Sequence, residues 1–152
     1  MQAITTYLTF EKNGQAAVEF YTSIFKDSHI HSSMVLPDTG QLLHASFALN
    51  GQEFMAMDGG PHFKFEDGIS LFITCKDQEE VDYYWDRLTA DGGEPGRCGW
   101  LKDKFGVSWQ VIPVALGQLM SDPDRAKSMR VREAMLQMSK IEVAGLQRAY
   151  EG

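Results

Sequence analysis

The sequence predicts an α+β fold built from a duplicated β-α-β-β-β unit and closed by a C-terminal helical tail. Three observations carry this reading. Strand-like alternation gives way to helical spacing in the same order twice. The two halves match at a constant offset of 63 residues, with Val18-Glu19-Phe20-Tyr21 falling on Val81-Asp82-Tyr83-Tyr84, and Leu8 and Phe10 falling on Leu71 and Ile73. After Pro113 the pattern turns helical and stays so.

In the first half, Ile4 to Phe10 alternates, with Ile4, Leu8 and Phe10 on one parity and Thr5, Tyr7 and Thr9 on the other, as in a strand with one apolar face. Asn13 is positioned to cap a helix in which Ala17, Phe20, Tyr21 and Ile24 form a buried stripe that Phe25 widens. Strands are expected at His29 to Leu36, Gln41 to Leu49 and Glu53 to Met57, separated by Pro37-Asp38-Thr39-Gly40 and by Asn50-Gly51, a strong hairpin signal. The second half restarts with a strand from Ile69 to Cys75 and a helix opened by Asp77 and Glu80, a capping-box pattern. That helix carries Val81, Tyr84, Trp85 and Leu88 and stops at Gly92-Gly93. Short strands follow around Cys98 to Lys102 and Val107 to Ile112, joined by a turn at Asp103 to Gly106. In the tail, Ser121-Asp122-Pro123-Asp124 starts one helix and Ser139 with Glu142 marks a second capping box. Met120, Met129, Met135 and Met138 lie there; a Met-rich binding groove is one reading, packing the commoner one. The whole is read as a single domain, 1–152, with unit one at 1–58, a linker at 59–68, unit two at 69–113 and the tail at 114–152.

Composition narrows the classes. With 152 residues, 43% hydrophobic and 23% charged, one packed domain is expected. A net charge of −7 and no clustered Lys and Arg disfavour nucleic acid as a partner. No apolar run approaches the roughly 20 residues needed to cross a bilayer, and the N-terminus shows no basic region or cleavage site. A cytoplasmic protein with no membrane partner is expected, its two cysteines, Cys75 and Cys98, reduced.

Three segments carry a family resemblance: Ile4-Thr5-Thr6-Tyr7-Leu8-Thr9-Phe10 with Val18-Glu19-Phe20-Tyr21; Asp103-Lys104-Phe105-Gly106-Val107-Ser108-Trp109-Gln110-Val111-Ile112-Pro113; and Ala134-Met135-Leu136-Gln137-Met138-Ser139-Lys140-Ile141 running to Leu146 and Ala149-Tyr150. They resemble the PhnB-like branch of the vicinal oxygen chelate superfamily, which includes glyoxalases, extradiol dioxygenases and bleomycin-resistance proteins. The resemblance implies two curved sheets with helices outside and a cup inside, commonly in a homodimer. If Ile4, Leu8, Phe10, Leu71, Ile73, Trp109 and Val111 pack under the helices, the opposite parity delivers Thr5, Tyr7, Thr9, Ser70, Phe72, Thr74, Ser108, Gln110 and Ile112 to the cup, with His44 and Ser46 from the third strand. The ligand-binding set is therefore Tyr7, Thr9, His44, Ser46, Ser70, Phe72, Ser108 and Gln110, a mixed lining of the kind small-molecule sites have.

Glyoxalase-type relatives hold a divalent ion with His or Glu from the first, third, fifth and last strands. Carried over, those positions fall near Thr5, on His44, near Ser70 and on Gln110. Only His44 is a good donor, and a catalytic site needs about three protein ligands, so no metal is expected; His29, His31 and His62 lie on other segments. His44 is either an acid/base group of the cup or a satisfied structural histidine. Ser46, Ser70 and Ser108 lack a nucleophile-elbow sequence, Asp58 and Asp103 read as turn residues, and Gly59-Gly60-Pro61 is no phosphate loop. Some names in the family carry a ubiquinone methyltransferase label, but the chain has no glycine-rich strand-to-helix turn for a nucleotide-like cofactor, and no cofactor is expected. Three functions compete: a protein that binds a small molecule without a metal; an isomerase, lyase or dioxygenase-like enzyme with catalytic His44 and Tyr7 or Gln110 orienting substrate oxygens; and a purely structural interaction protein. A symmetric homodimer, with the tail helices from Ser121 to Tyr150 helping to cover the interface, is the expected assembly.

Overall fold

The computed structural model describes residues 2–152, in two compact units, one ending at Phe65 and the other running from Glu66 to Gly152. The first unit holds β1 (Thr6–Phe10), α1 (Gly14–Ile24), β2 (His29–Val35), β3 (Leu42–Leu49) and β4 (Gln52–Asp58). The second holds β5 (Leu71–Cys75), α2 (Gln78–Leu88), β6 (Glu94–Pro95), β7 (Trp100–Lys102) and β8 (Ser108–Pro113), then α3 (Val114–Met120), α4 (Arg125–Leu136) and α5 (Val143–Glu151). Strand order is β1-β4-β3-β2 in one sheet and β5-β8-β7-β6 in the other. The first and last strands of each unit, β1 with β4 and β5 with β8, run parallel, so the duplicated β-α-β-β-β topology is present in full.

In the first unit the register puts Leu8, Ala56 and Ala45 in one row and Phe47 opposite Phe54 in the next, all buried on the face covered by α1. The Phe47 and Phe54 rings stack at 5.5 Å. Ala17, Val18, Tyr21 and Ile24 of α1 close that face, and each large side chain removed from water contributes about 1.5–3 kcal/mol. The Asn50-Gly51 hairpin forms as expected, both residues having positive φ (51° and 80°) as a type I′ turn requires. Ile4 departs from the expectation: the ladder begins at Thr6, so Ile4 lies outside the sheet, and it is 90% exposed. Ile69 is 80% exposed for the same reason, since β5 begins at Leu71.

Asn13 occupies the N-cap position of α1 in a left-handed conformation, but its side chain caps nothing. The work is done from a distance in sequence. Asp58, the last residue of β4 and 5% exposed, accepts from Gly14 N at 2.8 Å and from Leu42 N at 2.9 Å. It is a buried strut between helix, strand and sheet end, not a turn residue. A Cβ on Gly14 would sit 2.6 Å from Asp58 Oδ1, so the helix starts this close to the carboxylate only because it starts with glycine. Asp103 does sit in its expected turn, where its buried carboxylate accepts from Phe105 N, Val107 N and Trp109 Nε1.

At α2, Asp77 accepts from Glu80 N, while the Glu80 carboxylate accepts from Lys76 N, one residue earlier than the expected box. The second capping box does not form. Ser139 donates to Gly96 O instead, and the start of α5 is capped by Gln78 of α2, whose Oε1 accepts from Val143 N at 2.7 Å and whose Nε2 donates to Ile141 O at 2.9 Å. The strand expected from Cys98 begins at Trp100, because Cys98 and Gly99 have positive φ (57° and 87°) and give their N–H groups to Met138 O and Ser139 O of the tail. The methionines are largely used for packing: Met120, Met135 and Met138 lie against a cluster of Ile112, Leu116, Val131, Ile141 and Leu146, whereas Met129 is 41% exposed. Ile112, expected in the cup, is instead buried in that cluster because the tail folds back over the end of β8. Replacing Asp58 by alanine leaves two buried N–H groups without an acceptor and is expected to cost about 3 kcal/mol, read as a lower urea midpoint at unchanged slope; an unaltered midpoint would show that the carboxylate supports nothing.

Candidate functional site

Each sheet has one face covered by its helix and one that is not, and the unexpected burial of Ile112 aside, parity places the expected ligand-binding residues on the uncovered faces. In the first unit, register sets Tyr7 beside Met55, Met55 beside Ser46 and Ser46 beside Ser32, giving one row; Thr9 beside Met57, and Met34 beside His44, continue the same face. Tyr7 Oη and His44 Nδ1 are 3.2 Å apart and hydrogen bonded, although 37 residues separate them. Ser46 Oγ pairs with Ser32 Oγ at 2.9 Å. Thr9 is half-buried with no ligand-like partner of its own. His31, on the bulged strand β2, pairs with Glu53 at 2.7 Å and ring-stacks edge-on with His29 at 4.4 Å, so these histidines are engaged away from His44.

In the second unit two rows cross the sheet. Glu94 lies opposite Lys102, Lys102 opposite Ser108, and Ser70 precedes the Leu71–Trp109 pair; Trp100 lies opposite Gln110 and Gln110 opposite Phe72. Gln110 Nε2 donates to Ser70 Oγ at 2.9 Å, joining the rows diagonally. Phe72 is 57% exposed and Ser108 only 4%. The sequence reading missed Trp100, Lys102 and Glu94, because β6 and β7 are two and three residues long, too short for alternation to reveal a face. It also missed Met34, Met55 and Met57, which flank the polar groups of the first unit. Asp67 bonds Lys102 Nζ at 2.9 Å and holds that ammonium above the usual lysine range, with Glu94 and Glu66 adding to the effect.

The residues do not fit a divalent metal. Among the described residues no three His, Cys, Asp or Glu side chains are grouped to hold one. Of the carried-over positions, His44 is bonded through Nδ1 to a phenol, and Ser70 and Gln110 are bonded to each other. A nucleotide-like cofactor fits no better, since the first turns of α1 and α2 already receive the chain's own carboxylates, Asp58 and Asp77. Cys75 offers no thiolate: burial, then Glu80 and Asp77, push its thiol up to about 12.

The family described as 3-demethylubiquinone-9 3-methyltransferase matches residues 2–112. A protein from Bacillus cereus described as a 3-demethylubiquinone-9 3-methyltransferase, PhnB protein, is 38% identical, with a TM-score of 0.69 over 74% of this chain and 99% of that one. The chain belongs to this PhnB-like family of the vicinal oxygen chelate superfamily. The protein PA1353 from Pseudomonas aeruginosa (21% identity, TM-score 0.59, covering 74% of this chain and 98% of that one) shares the fold. So does the fosfomycin resistance protein FosX from Listeria monocytogenes, solved with Mn(II) and sulfate (19%, 0.54, 72% and 90%). No curated protein matches the chain. The family match stops before Pro113, so the tail segment from Ala134 to Tyr150, expected to carry the resemblance, lies outside it. In this PhnB-like chain the Tyr7–His44 bond is the feature to test first. Tyr7→Phe is expected to change the ¹⁵N shifts of the His44 ring while costing less than about 0.5 kcal/mol of stability, because both side chains sit on an uncovered face; unchanged ring shifts would mean that the bond does not form in solution.

Proposed function

We propose that this PhnB-like protein binds a small molecule on the uncovered sheet faces without the superfamily's usual metal, in the manner of a glyoxalase/bleomycin resistance-type binder. The observation that carries the reading is that three of the four carried-over positions are engaged in hydrogen bonds within the chain, His44 with Tyr7 and Gln110 with Ser70, each pair beside exposed apolar surface from Tyr7, Met34 and Phe72. Aromatic walls with a few polar groups are the usual composition of such sites. The proposed ligand contacts are Tyr7, Thr9, His44 and Ser46 in the first unit, and Ser70, Phe72, Ser108 and Gln110 in the second. No described helix is long and apolar enough to cross a membrane, and we place the protein in the cytoplasm as a homodimer. Its tail contributes mainly to its own unit, since Leu116, Val131, Ile141 and Leu146 are spent there.

A second reading is favoured by one specific contact. When Tyr7 donates to His44 Nδ1, the other ring nitrogen carries the proton and acts as a donor; when Nδ1–H donates to Tyr7, the other nitrogen is a free base. That choice suits an isomerase, lyase or dioxygenase-like reaction in which His44 moves a proton. Native mass spectrometry on untagged protein separates the readings. A bound organic molecule without stoichiometric metal is expected, with His44→Ala and Gln110→Ala each lowering occupancy about fivefold or more; a divalent ion retained through dialysis would overturn the metal-free reading, and turnover of a small ketone, thiol adduct or catechol that His44→Ala abolishes would establish the second.

A further inference from the structure

The second unit contains a cavity of about 240 Å³ on its uncovered face, lined among others by Asp67, Glu94, Trp100, Lys102 and Ser108. We propose that it is a subsite for a neutral, one-ring aromatic carbonyl compound, whose oxygen accepts from Lys102 Nζ and Ser108 Oγ while its ring lies against Trp100. The inference rests on the small-molecule reading above and names the ligand class of that reading's second-unit face.

Size sets the first limit, because the cavity falls below the roughly 300–1,000 Å³ of drug-sized sites and admits one ring with a short substituent. Ser108 sets the second. The residue is 4% exposed and lines the cavity, and since no buried side-chain oxygen among the described residues lacks a partner, its hydroxyl, which donates to no other residue, opens onto the cavity. A ligand oxygen reaching it exchanges a bond to water for a bond to the ligand, held at a fixed place on the sheet. Lys102 stands directly opposite Ser108 in the β7–β8 register, so two donors converge on one place.

Charge then selects among oxygen-bearing ligands. Lys102 is surrounded by Asp67, Glu94 and Glu66, so an anion entering here meets three carboxylates for one ammonium and must displace Asp67 to gain full contact. A cation meets Lys102 itself, set between Glu94 and Ser108 across the strands. A neutral carbonyl avoids both conflicts: an ammonium has three N–H donors, Asp67 takes one, and another remains for the ligand. The indole of Trp100, half-buried at the same cavity, supplies the flat apolar wall that a conjugated ring uses.

The test is an NMR titration of ¹⁵N-labelled full-length protein with acetophenone, benzoate and benzylamine, three probes of one ring and three charge states. Acetophenone is expected to shift the Trp100 indole N–H and the Ser108 amide and to bind roughly tenfold tighter than the other two. Ser108→Ala and Lys102→Met should each weaken it about fivefold, with unchanged Trp85 and Trp109 indole resonances showing that the unit remains folded. Tighter binding of benzoate or benzylamine at Trp100 would overturn the charge argument and leave the small-molecule reading standing. Acetophenone binding untouched by both variants would overturn the subsite, as would no response at Trp100 from any probe while a co-purified ligand shifts Tyr7 and His44. Silence at both faces, with no co-purified ligand, would overturn subsite and reading together.

Discussion

The parallel pairing of the first and last strands in each unit is the constraint on which the remaining structure depends. Parallel neighbours cannot be joined by a tight turn, so the chain leaves β1 through α1 and returns to β4 by way of β2 and β3, and it repeats the route from β5 to β8. The helix on that route is only eleven residues long in each unit and covers one face of its sheet. The opposite face therefore receives every second side chain without receiving a cover. Tyr7 and His44 meet on it although they come from different strands, and Lys102 and Ser108 meet on the corresponding face of the second sheet.

Holding such a unit closed requires something at the ends of its strands, and the two units solve this differently. The first uses the buried Asp58 carboxylate, which takes N–H groups from the start of α1 and the start of β3. The second uses Asp103 at its β7–β8 turn and, at the other end, the tail. The family match ends at residue 112, yet Gly99, Ile112 and Gln78 all lean on residues beyond it. A Cβ on Gly99 would lie 2.6 Å from Ile112 Cδ1 and 3.1 Å from Ile141 Cγ1, which shows how closely the added helices are fitted to a strand of the shared fold. The tail is an integral layer of the second unit, and three of its methionines, Met120, Met135 and Met138, fill gaps against its core cluster.

The sequence made legible whatever rests on period. Alternation in β1, β3, β4 and β5 and the stripes of α1 and α2 placed the buried rows, and Asn50-Gly51 placed a hairpin. What stayed hidden rests on contacts between residues far apart in the chain. Asn13 has the right residue type for a cap, but a left-handed backbone turns it away and Asp58, 44 residues later, replaces it. Ser139 and Glu142 have the spacing of a capping box, yet Gly96 O and Gln78 are nearer claimants. The candidate site follows the same division. Strand parity found Tyr7, His44, Ser70 and Gln110, while Trp100 and Lys102 escaped because a three-residue strand gives alternation nothing to act on.

The two uncovered faces also differ in kind, and the difference bears on what the chain can do chemically. The first carries a phenol and an imidazole bonded to each other; with the imidazole's own proton on one ring nitrogen or the other, and the phenol donating or accepting accordingly, the far nitrogen presents either a donor or a base to whatever lies against it. The second carries an ammonium fixed by a carboxylate and a hydroxyl that opens onto the cavity, groups that offer hydrogen bonds to an oxygen but are poor acceptors of a proton from carbon. Methyl transfer, the reaction in the family's description, makes a different demand: a site for the methyl donor at a strand-to-helix turn. Here the starts of α1 and α2, where the chain passes from strand to helix, already give N–H groups to the carboxylates of Asp58 and Asp77.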